Sequence, residues 1–276
     1  MKMPELPEVE TVRSGLSPLI CQAKIEGLIV RQPRLRYPIN TAQLQDKLIG
    51  QTILNLRRRA KYLLLDCHQG SLLIHLGMTG VLRAVPQNTP IEKHDHLDIL
   101  LNNSKMIRFK DTRRFGAVLW VNEPDDHPLL NHLGEEPLSP EFNPECLAKK
   151  LRHTGRAIKL ALMDQQIVVG VGNIYANEAL FMAGIHPQQE ANTLKFSQIE
   201  CLVTAVKTIL HQAILQGGTS LKDFLNAEGQ PGYFKQTLQV YGRKDQACLQ
   251  CQHPICKMVI GQRATYFCTQ CQDLLG

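Results

Sequence analysis

Residues 61–85 read KYLLLDCHQGSLLIHLGMTGVLRAV and contain three short apolar runs separated by turn residues. The turns between these runs contain Gln69-Gly70 and Thr79-Gly80. Runs of the same kind extend the pattern over residues 51–122, and they read TILNLRRR, HLDILL, KMIRFK and GAVLWV. Because short strands at regular spacing with turn residues between them are typical of all-β layers, this stretch predicts an antiparallel β-sandwich or a flattened barrel.

The segment before these strands predicts a leading helix. In PELPEVETVRSGL, at 4–16, the residues that share one helical face are Leu6, Val9, Val12 and Leu16. Proline is favoured at the first position of a helix, so we expect Pro4 to open this helix. A half-buried strand at 23–31 and a short helix at 41–50 complete the first domain.

The composition of the chain changes at residues 123–145, which are acidic and rich in proline. Helical periods follow this segment, and the longest apolar stripe lies within 197–216. We therefore predict an α+β protein of two domains, joined by a linker at 132–144. The predicted parts are an N-terminal β-sandwich at 1–131, a helical domain at 145–237 and a small cysteine-rich module at 238–276.

Composition limits the class of protein. The chain has 276 residues, 43% of them hydrophobic, and a formal net charge of +6. Its longest apolar runs are too short to span a bilayer, and the N-terminus has no apolar core of signal-peptide length. We therefore expect a cytoplasmic protein without a membrane partner, and its mildly basic charge is compatible with nucleic acid without requiring it.

The last thirty residues contain the most specific local pattern. Two Cys-x₂-Cys pairs are separated by sixteen residues, and their members are Cys248, Cys251, Cys268 and Cys271. This spacing is typical of a four-cysteine zinc site, in which a β-hairpin joins two metal-binding knuckles. Since protein would supply all four ligands, the predicted Zn²⁺ is single and structural. Cys256 lies between the pairs and has no assigned role.

The first residues also suggest chemistry. A Pro-Glu pair most often does no more than begin a helix. If Met3 were the translated start and were removed, Pro4 would carry a free secondary amine beside the carboxylate of Glu5. An α-amine has a pKa of about 7.7–8.0 against about 10.4 for lysine, so much more of it is an unprotonated nucleophile at neutral pH. Such an amine can form a Schiff base while the carboxylate transfers protons.

A glycine-containing turn enters a helix at 168–180, VVGVGNIYANEAL. Two glycines are too few for a dinucleotide-binding motif. Asn173 at the helix start is predicted to be an N-cap, although a helix N-terminus is also a ready site for a phosphate.

Ten further motifs are spread along the chain: PELPEVE at 4–10, RRAKYLLL at 58–65, HLGMTG at 75–80, EKHDH at 92–96, DTRRFGA at 111–117, HLGEEPL at 132–138, VVGVGNIYA at 168–176, QGGTSLKDF at 216–224, LQVYGR at 238–243 and QRATYFC at 262–268. In this order they resemble the motifs of the bacterial formamidopyrimidine-DNA glycosylases. The resemblance implies a β-sandwich, a helix–two-turn–helix element and a zinc ribbon, with double-stranded DNA between the domains. It also implies a monomer that excises 8-oxoguanine and formamidopyrimidines and then cuts the strand as an AP lyase.

The resemblance assigns roles to single residues. Pro4 would attack C1′ of the damaged nucleotide, Glu5 would be the general acid and base, and Glu8 would stabilise the intermediate. Lys61 would assist β-elimination and Arg263 would assist δ-elimination. The DNA contacts implied in the same way are His75, His94, Arg113, Thr154, Asn173, Met78 and Phe115. Without the resemblance, Lys61 would be a solvated lysine and His75 a satisfied core histidine.

A flipped-out base leaves a hole in the duplex that must be filled. Met78, Arg113 and Phe115 match the family's wedge for this purpose, although by spacing alone Met78 and Phe115 would be core residues. The loop from Gly217 to Tyr233 matches the segment that closes over the extruded purine, and its base-reading residue is not assigned.

Two departures from the family pattern keep alternatives open. Met1-Lys2-Met3 precede the proline, and the segment His153-Thr154-Gly155 stands where relatives often have a basic DNA contact. One alternative is an endonuclease VIII-type glycosylase for oxidised pyrimidines. The other is a catalytically silent zinc-ribbon DNA-binding protein, which applies if Pro4 is not the mature N-terminus.

Overall fold

The computed structural model describes residues 3–218 and 238–274. The chain divides into two compact units, and the described part of the first comprises residues 3–131 and 216–218. The second comprises residues 132–215 and 238–274. The separation of a linker, a helical domain and a zinc-ribbon module within the second half stays a prediction. Most of the predicted loop, from 219 onward, lies outside the described residues.

The described part of the first unit contains two α-helices and eight strands. The helices are α1 (Leu6–Ile20) and α2 (Thr41–Leu48). The strands are β1 (Ile25–Val30), β2 (Asn55–Arg59), β3 (Tyr62–Cys67), β4 (Gly70–His75), β5 (Gly80–Pro86), β6 (Asp95–Leu101), β7 (Lys105–Asp111) and β8 (Ala117–Val121). They form two antiparallel four-stranded sheets, with the orders β1-β6-β7-β5 and β2-β3-β4-β8. The predicted β-sandwich with a leading helix is confirmed.

The core of this unit lies between the sheets and under α1. The side chains of α1 that enter it are Val9, Val12, Leu16 and Ile20. Alternate residues of the sheet strands meet them, including Leu63 and Leu65 of β3 and Leu72 and Ile74 of β4. This period of two is what a strand with one face toward the core requires. The apolar runs that predicted the strands therefore also supply the core.

The start of α1 differs from the prediction. The helix begins at Leu6, Glu5 is its N-cap, and Pro7 rather than Pro4 lies within the first turn. Glu5 and Glu8 form a capping box, in which the backbone N–H of Glu5 donates to Glu8 Oε2 over 2.9 Å. Because this capping box satisfies groups at the helix start, Pro4 stays just outside the helix and its nitrogen belongs to no helical hydrogen bond.

Among its described residues, the second unit contains four α-helices and a β-hairpin. The helices are α3 (Pro144–Leu151), α4 (Ile158–Leu162), α5 (Asn173–Met182) and α6 (Phe196–Leu215), and the hairpin strands are β9 (Cys256–Ile260) and β10 (Arg263–Phe267). A small core cluster beneath the hairpin consists of Phe181, Val240, Cys248, Ile255 and Cys268. Within residues 3–218 and 238–274, no helix has the length and apolar character that crossing a membrane requires.

Candidate functional site

At the N-terminal end of α1, Pro4 is followed closely in the chain by two buried carboxyl groups, those of Glu5 and Glu8. Pro4 is buried, Glu5 is 4% exposed and Glu8 is fully buried. The backbone of Gly218 also approaches Glu8, since a Cβ on this residue would lie 3.1 Å from Oε1, and its φ of +79° suits glycine. Glu5 is the N-cap of α1 and Glu8 lies in its first turn, so both carboxyl groups belong to the N-terminal end of the helix. A nucleophile at Pro4 would therefore have a proton acceptor within the same turn of chain.

Lys61 lies in the two-residue turn between β2 and β3. Only 7% of its surface is exposed, so the alternative of a solvated lysine is wrong. Arg58 fixes this turn, because its Nη1 donates to the carbonyl of Ala60 over 3.0 Å. Its Nε donates to Glu10 Oε2 over 2.8 Å. Since Glu10 belongs to α1, one ion pair links the helix that follows Pro4 to the turn that carries Lys61.

His75 ends β4 and faces Tyr62 across the strand pair. Burial, together with the positive charges of Arg36 and Lys61, lowers the pKa of His75 to about 4. The backbone N–H of Gly77 donates to His75 Nδ1 over 3.0 Å. Because Nδ1 accepts this bond, the neutral ring carries its proton on Nε2. The side chain can thus offer an uncharged N–H to a phosphate oxygen.

The three wedge residues lie on two neighbouring turns. Met78 is half-buried in the β4–β5 connection, and Phe115 is 44% exposed in the β7–β8 connection. The interpretation of these two as core residues is therefore wrong. The Arg113 guanidinium carbon lies 4.8 Å from the centre of the Phe115 ring, a cation–π contact on an exposed surface. His94 precedes β6 with a φ of +75°, half-buried.

In the second unit, Asn173 and the strand of Arg263 are joined. Gly172 is the N-cap of α5, so the prediction that Asn173 caps the helix is wrong. Asn173 Nδ2 instead donates to the carbonyl of Ala264 over 3.0 Å, while its buried Oδ1 has no partner among the described residues. Arg263, next to Ala264, is exposed at the start of β10. Asn173 therefore anchors the strand whose first residue is the proposed δ-elimination cation.

Thr154 has a cation beside it. Arg156 Nε donates to Thr154 Oγ1 over 3.2 Å, and Arg156 Nη2 pairs with Asp164 over 2.8 Å. The sequence departure at 154 thus leaves a positive charge next to the hydroxyl.

The four cysteines of the predicted zinc site converge. Their sulfur atoms all lie within 4.8 Å of one another, and the pairs Cys248–Cys271 and Cys251–Cys268 are 3.9 Å and 3.4 Å apart. A tetrahedral Zn²⁺ with Zn–S bonds of about 2.3 Å places its sulfurs about 3.8 Å apart. The donor set and spacing therefore fit a structural zinc ion. Cys256 is not part of this cluster.

Lys159 is a residue that the sequence reasoning did not assign. It is fully buried in α4, and its Nζ donates to the carbonyl of Ala264 over 3.0 Å and to Thr265 Oγ1 over 2.6 Å. A lysine within the otherwise apolar run IKLAL was the available signal, because a buried ammonium needs acceptors. Like Asn173, it fixes β10.

Comparisons with known proteins cover the whole chain. Three family descriptions match in order: the formamidopyrimidine-DNA glycosylase N-terminal domain at 3–118, the formamidopyrimidine-DNA glycosylase H2TH domain at 133–224, and the zinc finger found in FPG and IleRS at 245–274. A formamidopyrimidine-DNA glycosylase of Shewanella halifaxensis is 56% identical over 273 residues, which cover 99% of this chain and 100% of that protein.

Two solved structures show the same fold. A MutM protein in complex with DNA containing carbocyclic 8-oxo-G has a TM-score of 0.89 and 36% identity, and the match covers 98% of this chain and 100% of that one. The Lactococcus lactis Fpg in complex with abasic-site DNA has a TM-score of 0.89 and 36% identity, with coverages of 98% and 99%. The chain therefore belongs to the formamidopyrimidine-DNA glycosylase family.

Proposed function

We propose that this chain excises oxidised purines from double-stranded DNA through the imino nitrogen of Pro4. As a member of its family it is a DNA glycosylase with AP lyase activity, and its work is base-excision repair of oxidised purines such as 8-oxoguanine and formamidopyrimidines. The endonuclease VIII-type alternative is set aside, because the N-terminal family description and the curated relative are both formamidopyrimidine-DNA glycosylases.

The position of Pro4 gives the strongest support for its assignment as the nucleophile. Pro4 is buried directly before the N-cap of α1, beside the carboxyl groups of Glu5 and Glu8. Once Pro4 is the first residue, its nitrogen is a secondary amine whose unprotonated form is abundant at neutral pH. In the proposed first step, the lone pair of this nitrogen forms a bond to C1′ while the bond from C1′ to the base breaks, and the departing base takes up the proton that the nitrogen loses. Glu5 protonates the sugar oxygen, the ring opens, and a Schiff base results.

The second stage cuts the strand. The Schiff base acidifies the C2′ proton, and loss of this proton expels the 3′ phosphate in a β-elimination. A further δ-elimination expels the 5′ phosphate and leaves a gap of one nucleotide. Lys61, by its charge in the β2–β3 turn, assists the first elimination, and Arg263 assists the second. Both act through the departing phosphate groups, whose negative charge a cation stabilises.

The remaining site residues hold DNA. His75 donates its Nε2 proton to a phosphate, and Asn173 and Thr154 contact the backbone from the second unit. Asn173 does so through the amino end of α5, since its own Nδ2 is bonded to Ala264. Met78, Arg113 and Phe115 fill the space that the flipped nucleotide leaves, and His94 contacts the strand nearby.

We further propose that the protein is a cytoplasmic monomer with one zinc ion per chain. The four-cysteine cluster supports the ion, whose only contribution is to hold the hairpin of β9 and β10 in shape. Native mass spectrometry reports both numbers, because one chain with one zinc has a unique mass.

Glu5→Gln tests the proposed chemistry. The change removes the proton-transferring carboxyl group and keeps the side chain's volume, so excision of 8-oxoguanine from a duplex is expected to fall about 10²–10⁴-fold. Stability should change by about 1 kcal/mol at most, which is the scale of a capping charge at a helix end. Single-turnover excision and thermal unfolding measure the two quantities.

Glu26→Gln is the matched control, because Glu26 is exposed in β1 and away from the helix start. It should excise 8-oxoguanine at the wild-type rate. Equal rates for the Glu5 and Glu26 variants would remove Glu5 from the mechanism.

A further inference from the structure

The wedge residues come together because of the strand order. The connection that carries Met78 runs from β4 to β5, and the connection that carries Arg113 and Phe115 runs from β7 to β8. Strand β4 pairs with β8, and β5 pairs with β7. Both connections therefore cross from one sheet to the other, and they run next to each other. They touch through backbone, since a Cβ on Gly77 would lie 2.4 Å from the carbonyl carbon of Phe115.

The side chain of Asp111 lies between these two connections and is fully buried. Its Oδ1 accepts from the Thr79 hydroxyl over 2.5 Å and from the backbone N–H of Arg113 over 3.2 Å. Its Oδ2 accepts from the backbone N–H of Gly116 over 2.8 Å. One carboxylate thus receives a donor from the Met78 connection and two donors from the Arg113–Phe115 connection.

Thr79 completes the link. Its hydroxyl oxygen accepts from the backbone N–H of Arg113 over 3.0 Å while the hydroxyl proton goes to Asp111. The residue directly after Met78 is therefore bonded to the residue that carries the wedge cation. A threonine hydroxyl can donate and accept at once, and a methyl group in its place can do neither.

The backbone of Asp111 reaches a third DNA-contacting stretch. Its N–H donates to the carbonyl of His94 over 3.1 Å. Its carbonyl lies 2.7 Å from His96 Nε2. Among the described residues of the first unit, the segments that carry Met78, His94 and the Arg113–Phe115 pair are thus each bonded to Asp111 or to Thr79.

We propose that Asp111 is a positioning residue that, through Thr79, holds Met78, Arg113 and Phe115 in the arrangement that fills the space of the extruded base. The inference rests on the proposed function of these three residues as a wedge. Extrusion of a base costs stacking and pairing energy, and a wedge whose turns are ordered before DNA arrives loses no further conformational entropy on insertion. The buried carboxylate supplies this order because its acceptor oxygens match three fixed donors.

Asp111→Asn is the sharpest change, because it keeps the size of the side chain and removes one acceptor oxygen. Whichever way the amide is turned, its NH₂ faces the backbone N–H of Arg113 or that of Gly116, and neither can rotate away. We expect excision of 8-oxoguanine opposite cytosine to fall about 30-fold, which is the usual scale for one lost hydrogen bond to a buried charged group.

Thr79→Val and Thr79→Ser form a matched pair in case Asp111→Asn fails to fold. Valine keeps the shape of threonine without the hydroxyl, and serine keeps the hydroxyl. We expect Thr79→Val to lower duplex excision about 10-fold and Thr79→Ser to stay within about 3-fold of the wild type.

A comparison of two substrates separates a positioning role of Asp111 from general support of the fold. A single-stranded oligonucleotide with an abasic site has no stacked base to extrude, so each variant should cleave it within about 3-fold of the wild-type rate. A fluorescent base analogue beside the lesion in duplex DNA should also report slower wedge insertion in Asp111→Asn and Thr79→Val.

Equal losses on duplex and single-stranded substrates would overturn the inference, since Asp111 would then support the fold in general. Unchanged duplex excision in Thr79→Val would overturn it as well. If the wild-type protein cleaves abasic DNA but never excises 8-oxoguanine, the proposed function fails first, and the two failures are distinguishable.

Discussion

Two β-hairpins, one in each unit, carry a proposed elimination cation, within a two-residue turn in the first and directly after one in the second. Lys61 follows Ala60 in the β2–β3 turn, whereas Arg263 follows Gly261 and Gln262 in the β9–β10 turn. Lys61 is 7% exposed and Arg263 is exposed. Similar local geometry thus presents one cation inside a protein environment and the other to solvent.

The anchors of the two hairpins differ more than their turns. The first is held by the ion pair of Arg58 with Glu10 and by the leucine core of the sandwich. The second is held by the cysteine cluster, by the buried Lys159 ammonium and by amide groups, such as Asn177 Oδ1, which accepts from the backbone N–H of Tyr266 over 2.7 Å. An ion pair with α1 and the leucine core position Lys61, whereas the cysteine cluster, Lys159 and amide groups position Arg263. Separate perturbations should therefore disable them separately.

The largest effect is expected from loss of zinc, which should disrupt the β9–β10 hairpin. Cys268→Ser removes one of four thiolates from a site whose metal contributes about 10–16 kcal/mol to folding in comparable domains. Even a loss of about 4 kcal/mol from that total shifts the folding equilibrium of the hairpin about 1,000-fold toward the unfolded form. Cleavage of abasic duplex DNA then falls with the folded fraction, by up to about 1,000-fold. Zinc per chain and cleavage rate are the measurements.

Cys256→Ser is the control for that change, because Cys256 lies in the same hairpin and outside the cluster. It should bind one zinc ion per chain and cleave normally. Full zinc content in Cys268→Ser would contradict the ligand assignment.

The next largest effect is expected on the rates of the two elimination steps, which determine the cleavage products. Lys61→Ala should slow the first elimination about 100-fold, since a cation positioned at a departing phosphate is worth roughly 2–4 kcal/mol. Arg263→Ala should instead leave the first elimination nearly unchanged and let the β-product accumulate. Denaturing gels of end-labelled abasic DNA separate the two products. The same product ratio in both variants would contradict the separate roles.

His75 should make the stability of the first unit depend on pH. Its pKa in the folded protein is about 4 because the ring is buried, whereas the unfolded chain has the ordinary value of about 6.5. Between these values the unfolded state binds more protons, so stability is present above pH 6.5 and is lost as the pH falls toward 4. The loss between pH 7 and pH 5 should be about 2 kcal/mol by urea unfolding.

His75→Asn should remove most of that pH dependence. His68→Gln should leave it unchanged, because His68 is exposed in the β3–β4 turn. A slope that persists in His75→Asn would show that other groups cause it.

The smallest effect is expected from Arg58→Gln, which should loosen the β2–β3 hairpin. The change removes the ion pair with Glu10 and the donor to the carbonyl of Ala60, so stability should fall about 1–2 kcal/mol and the first elimination about 10-fold. Arg57→Gln is the neighbouring control. Arg57 pairs with Asp66 at the surface, with 47% of its side chain exposed, and should contribute less than about 0.5 kcal/mol. Equal effects of the two changes would contradict the proposed anchor.

The sequence predicted those parts of the molecule in which one period or one spacing controls the structure. Alternating apolar runs predicted the strands, and the cysteine spacing predicted a cluster that the structure confirms. These signals are local, because a strand's two faces and a metal knuckle are each contained within a few residues.

Such local signals could not predict contacts between residues that are far apart in the sequence. Nothing near Asp111 in the sequence indicates that Thr79, thirty-two residues earlier, bonds to its carboxylate. The exposure of Phe115 likewise depends on two connections meeting at one end of the sandwich, which requires the strand order. The helix start was wrong by two residues because Glu5 and Glu8 cap each other, and that reciprocal bond excluded Pro4 from the helix.

The most direct test of the account is to trap the Schiff base. Borohydride reduces the bond between enzyme and sugar, and peptide mapping by mass spectrometry then locates the modified residue. We expect one DNA adduct on the α-nitrogen of Pro4, in a mature chain that begins at Pro4. An adduct on Lys61, or full excision activity in a protein that still begins with residue 1, would contradict the proposed chemistry.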